Sequence, residues 1–212
     1  MSLTVVKLGG STAADTRLFE WIDALAAART PLVVVPGGGP FADQVREMQA
    51  KIGFSDQAAH SMAIHGMDQF GLMLCDLSRR FFAARLEHQL REIVEEGNIP
   101  VWLPSTMTIG RSDIPASWDV TSDSLAAWLA GRLAADTLLL IKQSRDLRAD
   151  DDVAALERRG IIDACLPSLL PSGVHLLVAG PDHIPDATCL MAEGKLPGLC
   201  IARSGAASQV CV

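Results

Sequence analysis

Nothing in this chain points to a metal-held or disulfide-stapled fold. Its five cysteines (Cys75, Cys165, Cys189, Cys200, Cys211) include no CxxC pair, and its five histidines (His60, His65, His88, His175, His183) form no HExxH motif. No zinc or other metal site and no disulfide framework is therefore expected, and the thiols read as free. A basic surface is lacking as well. The formal net charge is -7 and the isoelectric point about 5.1, whereas nucleic-acid proteins usually carry a basic stripe. No apolar run approaches the ~20 residues of a membrane span. The stretch Met1–Lys7 has no apolar segment behind a basic one, so no signal peptide is expected. These absences predict a cytoplasmic protein with no nucleic-acid or membrane partner. Lysine is scarce too: Lys7, Lys51, Lys142 and Lys195 stand against fourteen arginines. An anionic ligand would have to be held by local donors against the overall field, so each lysine warrants scrutiny.

What is present is a core. At 212 residues and 49% hydrophobic, the chain suffices for one globular domain near the upper size of a single core. Short apolar runs at 4–8, 31–35, 99–103, 137–142, 174–179 and 199–202 read as strands. Between them, helical spacing marks 15–29, 41–51, 56–84, 86–96, 125–133, 152–159 and 182–193. Thr121 or Ser122 is a plausible N-cap for the helix at 125–133. Strands alternating with helices, without hairpin signals through the first two thirds, predict an α/β fold with a mainly parallel open sheet.

Ligands of open α/β sheets sit beyond the carboxyl ends of the strands. Two consecutive strands end in glycine clusters, Lys7-Leu8-Gly9-Gly10-Ser11 and Val35-Pro36-Gly37-Gly38-Gly39-Pro40. Glycine removes the Cβ that would block a phosphate, and a helix N-terminus behind each loop adds a favourable dipole. One such cluster is as readily a tight turn as a ligand loop; two in succession, one with a lysine, favour anion binding. Neither fits the GxxxxGK[ST] or the GxGxxG pattern.

Together with Val120-Thr121-Ser122-Asp123-Ser124-Leu125-Ala126-Ala127, these strings resemble the amino acid kinase family. The resemblance implies a three-layer α-β-α sandwich and a kinase that uses ATP and Mg²⁺. Gly37-Gly38-Gly39 followed by Phe41-Ala42-Asp43, the stretch Ser61-Met62-Ala63-Ile64, and Ser117-Trp118-Asp119-Val120 resemble the branch that phosphorylates an aminomethylfuran-methyl phosphate in methanofuran-type cofactor synthesis. By this resemblance Lys7 neutralises charge on the transferring phosphoryl group, and Gly9, Gly10 and Ser11 donate to nucleotide phosphates, with Ser122 and Ser144 on the same side. Gly37, Gly38 and Gly39 cradle the acceptor, with Trp118 and Thr121 beside them, and Asp123 organises the lysine. An acceptor-binding half at about 1–120 and a nucleotide-binding half at about 121–212 follow within a single domain, as does a homodimer or higher homo-oligomer built on the 56–84 region. The acceptor is expected to be a small phosphorylated or carboxylated molecule.

The chain departs from the family in its second half. A second family lysine is expected near residue 170, where the chain reads Leu169-Leu170-Pro171-Ser172-Gly173, and the nucleotide-holding segment is replaced by Ile141-Lys142-Gln143-Ser144-Arg145-Asp146-Leu147. Either Lys142 supplies the missing charge from a strand end, or it is a solvated strand terminus and the chain is a ligand-binding or regulatory subunit. Other residues read more plainly. Trp102, Trp118 and Trp128 are packing residues, Trp118 also being placed to line a pocket for a flat ring. His65 is a helix-surface residue, and so is His60 unless it edges the acceptor pocket; His60 and Asp68 fall in the branch-like segment. Met62, Met67 and Met73 look like a core or dimer stripe. Asp150-Asp151-Asp152 reads as a solvated turn and helix start.

Overall fold

The computed structural model describes residues 2–203. A seven-stranded sheet runs through the middle in the order β3-β4-β2-β1-β5-β6-β7. Its strands are β1 (Thr4–Leu8), β2 (Leu32–Pro36), β3 (Phe81–Ala84), β4 (Ile99–Trp102), β5 (Thr137–Ile141), β6 (His175–Ala179) and β7 (Leu199–Ile201). All neighbours pair in parallel except β7, which runs antiparallel to β6. Strand residues alternate between the two faces, and both faces are apolar. Val5, Leu138, Leu140, Leu176 and Val178 join one core, packed under α4 (Glu87–Glu95), α6 (Ser122–Leu133) and α8 (Leu166–Leu169). Val6, Leu8, Leu139, Ile141, Leu177 and Ala179 join the other, under α1 (Arg17–Ala26) and α9 (Ile184–Ala192). This doubly covered parallel sheet explains why the strands read as continuous apolar runs, and it makes the fold the expected three-layer sandwich. Trp102 and Trp128 stack within the first core, ring centroids 6.1 Å apart.

One expected element is two. The helix read over 56–84 ends at Leu77 as α3 (Asp56–Leu77), where Ser78 turns the chain extended at φ -144°, ψ 130°. Phe81–Ala84 then forms the edge strand β3, in register with Ile99–Trp102. Phe-Phe-Ala-Ala shows no alternation, since its end residues are buried and its middle two exposed; only pairing with β4 identifies it. Short helical turns at Gly10–Ala14, Ser105–Thr108 (α5) and Leu166–Leu169 (α8) also escaped the periodicity.

The acidic run is only partly the solvated turn expected. Asp152 caps α7 (Val153–Arg158) by accepting from the Ala155 N–H at 2.7 Å. Asp151 instead is buried, ion-paired with Arg159 and accepting from the Arg148 N–H at 2.9 Å. A partner eight positions on leaves no local signature. Cys75, Cys165 and Cys189 are free, but Cys200 is disulfide-bonded, against the reading of uniformly free thiols.

Arg80, just ahead of β3, ties three segments together. Its guanidinium donates to the carbonyls of Ala26 (2.6 Å) and Ala28 (2.9 Å) at the end of α1 and of Gly97 (2.9 Å) after α4. Helix ends leave carbonyls without intrahelical donors, so removing the charge strands them together. Charged hydrogen bonds contribute about 1.5–3 kcal/mol. Arg80→Ala is expected to lower the melting temperature by roughly 3–12 °C at ~2–4 °C per kcal/mol, measured by calorimetry, without altering ligand-induced stabilisation.

Candidate active site

Strand parity sets the site. Lys7 lies two residues after Val5 and therefore projects to the α6 face; it pairs in register with Leu140 of β5. Lys142 lies two residues beyond Leu140, so it projects to that same face, and its N–H donates to the Ala179 carbonyl at 2.8 Å. Two lysines from adjacent strand ends thus converge on the N-terminus of α6. Asp123, in the first turn of that helix, receives both. Lys7 Nζ is 2.9 Å from Asp123 Oδ1, and Lys142 Nζ pairs with Oδ2. The side chains are 7%, 15% and 3% exposed for Lys7, Lys142 and Asp123, so the triad is largely withdrawn from water. Burial alone would raise the Asp123 carboxyl, but the Lys7 and Lys142 ammoniums override it and hold it at about 2. Burial, reinforced by the Lys7 charge, pushes Lys142 down to about 8. Lys142 is therefore not a solvated strand terminus.

The two glycine loops meet backbone to backbone. The Gly37 N–H donates to the Leu8 carbonyl at 2.9 Å, and the Gly9 N–H to that of Ile141 at 3.2 Å. A Cβ at Gly37 would stand 2.1 Å from the Gly10 nitrogen, and one at Gly10 2.1 Å from the Gly39 nitrogen. Only glycine allows this approach, which directs the start of α2 (Gly39–Ile52) toward the lysines.

Lys7, Gly10, Ser11, Gly38, Gly39, Trp118, Thr121 and Ser122 line one cavity of about 230 Å³ between these loops, α2 and α3. Gly9 and Gly37 are buried in the loops that flank it. Sequence reasoning missed Asp43 and Arg46 on the cavity wall. Arg46 pairs with Asp43 at 3.0 Å and lies 4.4 Å from the centroid of the Trp118 ring, whose Nε1–H donates to Gln49 Oε1 at 2.6 Å. Trp118 is thus a cavity wall fixed from α2, and no local sequence pattern reveals that pairing across 69 residues. His60 also lines the cavity and is buried, with Nε2 lacking a partner among the described residues and burial lowering its pKa. Asp68 does not reach it; that carboxylate accepts from Arg85 (2.7 Å) and the Ser105 hydroxyl (2.6 Å). His65 is exposed, as read.

Ser144 lies elsewhere. It lines a second cavity of about 220 Å³ beyond the ends of β5 and β6, with Leu147, Gly180, His183 and Leu199. Asp163, between α7 and α8, was also missed. It accepts hydrogen bonds from Thr121 and Ser124, in the cap and first turn of α6.

A family model described as the amino acid kinase family matches residues 2–154, well over half of the chain. The chain belongs to that family. Among relatives, the [5-(aminomethyl)furan-3-yl]methyl phosphate kinase of Methanocaldococcus jannaschii is 30% identical over 127 residues, 59% of this chain and 58% of that protein. The match thus covers less than two thirds of that relative's length. Similar solved structures include the uridylate kinase of Archaeoglobus fulgidus, with a TM-score of 0.69 at 18% identity over 95% of this chain and 100% of that one. The UMP kinase of Ureaplasma parvum gives 0.67 at 15% over 95% and 99%. An isopentenyl phosphate kinase gives 0.58 at 18% over 94% and 100%. At these identities the structures speak for the fold, an amino acid kinase fold along almost the full chain.

Two outcomes test this geometry. Gly37→Ala is expected to destabilise by about 1–3 kcal/mol, the usual range for overpacking, because its new methyl meets backbone. Gly173→Ala, with nothing within 4 Å, is expected to change little, and equal melting points for the two variants would refute the loop contact. Lys142 gives a pH signature. Its folded value of about 8 lies below the ordinary lysine value of 10.5, so between these the unfolded chain holds a proton that the folded chain lacks, and stability rises with pH there. The difference in unfolding free energy between wild type and Lys142→Met is expected to grow from pH 8 to pH 10; a flat difference would refute the burial of the ammonium.

Proposed function

We propose that this amino acid kinase transfers the γ-phosphoryl group of ATP to a small molecule that already carries a phosphate, forming a diphosphate. The observation that carries the reading is the Asp123 carboxylate shared by Lys142 and by Lys7, which lines the cavity between the two glycine loops. The Lys7 ammonium, held by that carboxylate, stands where charge must be neutralised on a transferring phosphoryl group. Phosphoryl transfer depends mostly on such positioning and electrostatics.

In this reading the nucleotide phosphates lie on Gly9, Gly10 and Ser11 near Ser122, with the nucleoside toward the cavity at Ser144. The acceptor lies in the cavity lined by Gly38, Gly39, Trp118 and Thr121, backed by Gly37. The halves of the chain divide at about residue 120. A phosphate acceptor is mostly ionised at neutral pH, its second pKa being about 6, so its oxygen attacks without a base. The bond from γ-phosphorus to the bridging oxygen breaks, ADP leaves with that electron pair, and Lys7 and Lys142 balance the charge on the moving group. Gly10 and Ser11 line the cavity beside Lys7, and their backbone would hold the nucleotide's phosphates there. Among the described residues no group of three or more His, Cys, Asp or Glu side chains could hold a metal, so Mg²⁺ would enter on the nucleotide's phosphate oxygens. There it would supply further charge neutralisation.

The relative's substrate makes [5-(aminomethyl)furan-3-yl]methyl phosphate, in methanofuran-like C1-carrier synthesis, the acceptor we favour; the Trp118 face suits a flat ring. Exposed Met62, Leu72 and Leu77 on α3, with Phe82 on the edge strand, support a homo-oligomer built on this region. No helix among the described residues is long and apolar enough to cross a membrane, and we place the enzyme in the cytoplasm.

The test is ATP consumption with Mg²⁺ against the furan phosphate, UMP, isopentenyl phosphate, aspartate and acetylglutamate. Turnover with a phosphorylated acceptor, reduced at least ~100-fold in Lys7→Ala, is expected. Turnover with aspartate or acetylglutamate alone would move the acceptor to a carboxylate. No turnover and no thermal stabilisation by any nucleoside triphosphate would make the chain a binding subunit.

A further inference from the structure

Asp163 makes more hydrogen bonds than its place in a connecting segment requires. One carboxylate accepts from the Thr121 N–H (2.9 Å), the Thr121 hydroxyl (2.7 Å), the Ser124 N–H (3.1 Å), the Ser124 hydroxyl and the Leu166 N–H (2.8 Å). Four of the five donors belong to the cap and first turn of α6, about forty positions away in sequence. A helix N-terminus needs acceptors for its free N–H groups, and a local cap usually supplies them. Here the local cap is weak: the Thr121 hydroxyl accepts from the Asp123 N–H at 3.3 Å. Asp163 completes it from a distant segment.

The helix does not need that clamp to exist. Ten of its twelve residues are buried, including Leu125, Trp128, Leu129 and Leu133, so tertiary packing holds its length. What the clamp fixes is the first turn, and that turn carries Asp123 between the two lysines. The charged groups facing Lys142 are Asp123 from α6, Lys7 from β1 and Asp163 from the α7–α8 connection.

We infer that Asp163 is a positioning residue, which clamps the first turn of α6 so that Asp123 holds Lys7 and Lys142 in register for phosphoryl transfer. Its negative charge also favours the protonated form of Lys142, opposing the effect of burial. A displacement of about 1 Å in a positioned reacting group costs on the order of 10²-fold in rate. The role rests on the kinase reading above, but one of its measurements does not.

In Asp163→Asn the side chain keeps its shape and loses its charge and part of its accepting capacity. The expected result is a folded protein whose kcat falls about 10- to 100-fold, while KM for ATP and for the acceptor stay within about threefold. In ligand-free protein, the NMR titration midpoint of Lys142 is expected to lie below that of wild type, because the Asp163 charge that favours the ammonium is gone. A purely structural role would lower the melting temperature and leave kcat of the folded variant at the wild-type value. A folded Asp163→Asn with kcat within twofold of wild type would overturn the inference. Should wild type transfer no phosphoryl group, the kinase reading falls, and Ser124→Ala decides in ligand-free protein: it removes one arm of the clamp without touching its charge, so a moved Lys142 midpoint upholds the clamp and an unmoved midpoint overturns it. Should Asp163→Asn not fold, the same Ser124→Ala variant is assayed: a kcat loss of about threefold or more upholds the inference, and unchanged kcat overturns it.

Discussion

The site depends on one buried carboxylate facing two ammoniums. Removing an ionised group from water costs several kcal/mol unless it is paired, and Asp123 is 2% exposed. It remains ionised because Lys7 and Lys142 approach from opposite sides. Lys7 also lines the cavity between the glycine loops, so its ammonium is presented to an incoming anion, while Lys142 faces both Asp123 and Asp163.

The rest of the fold serves that contact. A parallel sheet covered on both faces puts the carboxyl ends of β1, β2, β5 and β6 along one edge. Lys7 and Lys142 reach the same face because their registers on β1 and β5 agree. The glycine loops after β1 and β2 close to a distance that no side chain permits, bringing the N-terminus of α2 beside the lysines. The α6 first turn, hydrogen-bonded to Asp163 about forty positions later in the chain, then carries Asp123 in from the covering layer.

Much of this was legible in the sequence because it is local. Lys7-Leu8-Gly9-Gly10-Ser11, Gly37-Gly38-Gly39 and Thr121-Ser122-Asp123-Ser124 are each recognisable within a few residues, although the contacts that require them are not, and the alternation of strands and helices carries the layering. What was not legible is pairwise and distant. Phe81–Ala84 becomes a strand only beside β4. Asp151 is buried only because Arg159 reaches it. Arg46, Gln49 and Trp118 form one wall from two segments, and Asp163 caps a helix it does not precede. The parity of Val5 and Lys7 against Leu138, Leu140 and Lys142 was present in the sequence. It became informative once β1 and β5 were known to be neighbours.

The chain has proline at 171, where the family resemblance placed a second lysine, and in the proposed reading Lys142 from the end of β5 supplies that charge instead. That substitution of one lysine's direction for another is the central claim. The most direct measurement is the rate of phosphoryl transfer by Lys142→Met, with ATP binding followed on the same preparation. The account predicts a kcat reduced by at least ~100-fold, in the range lost when a charge-stabilising group is removed, with ATP still bound and the fold intact. A variant that turns over at the wild-type rate would contradict it and leave Lys7 as the sole cation of the reaction.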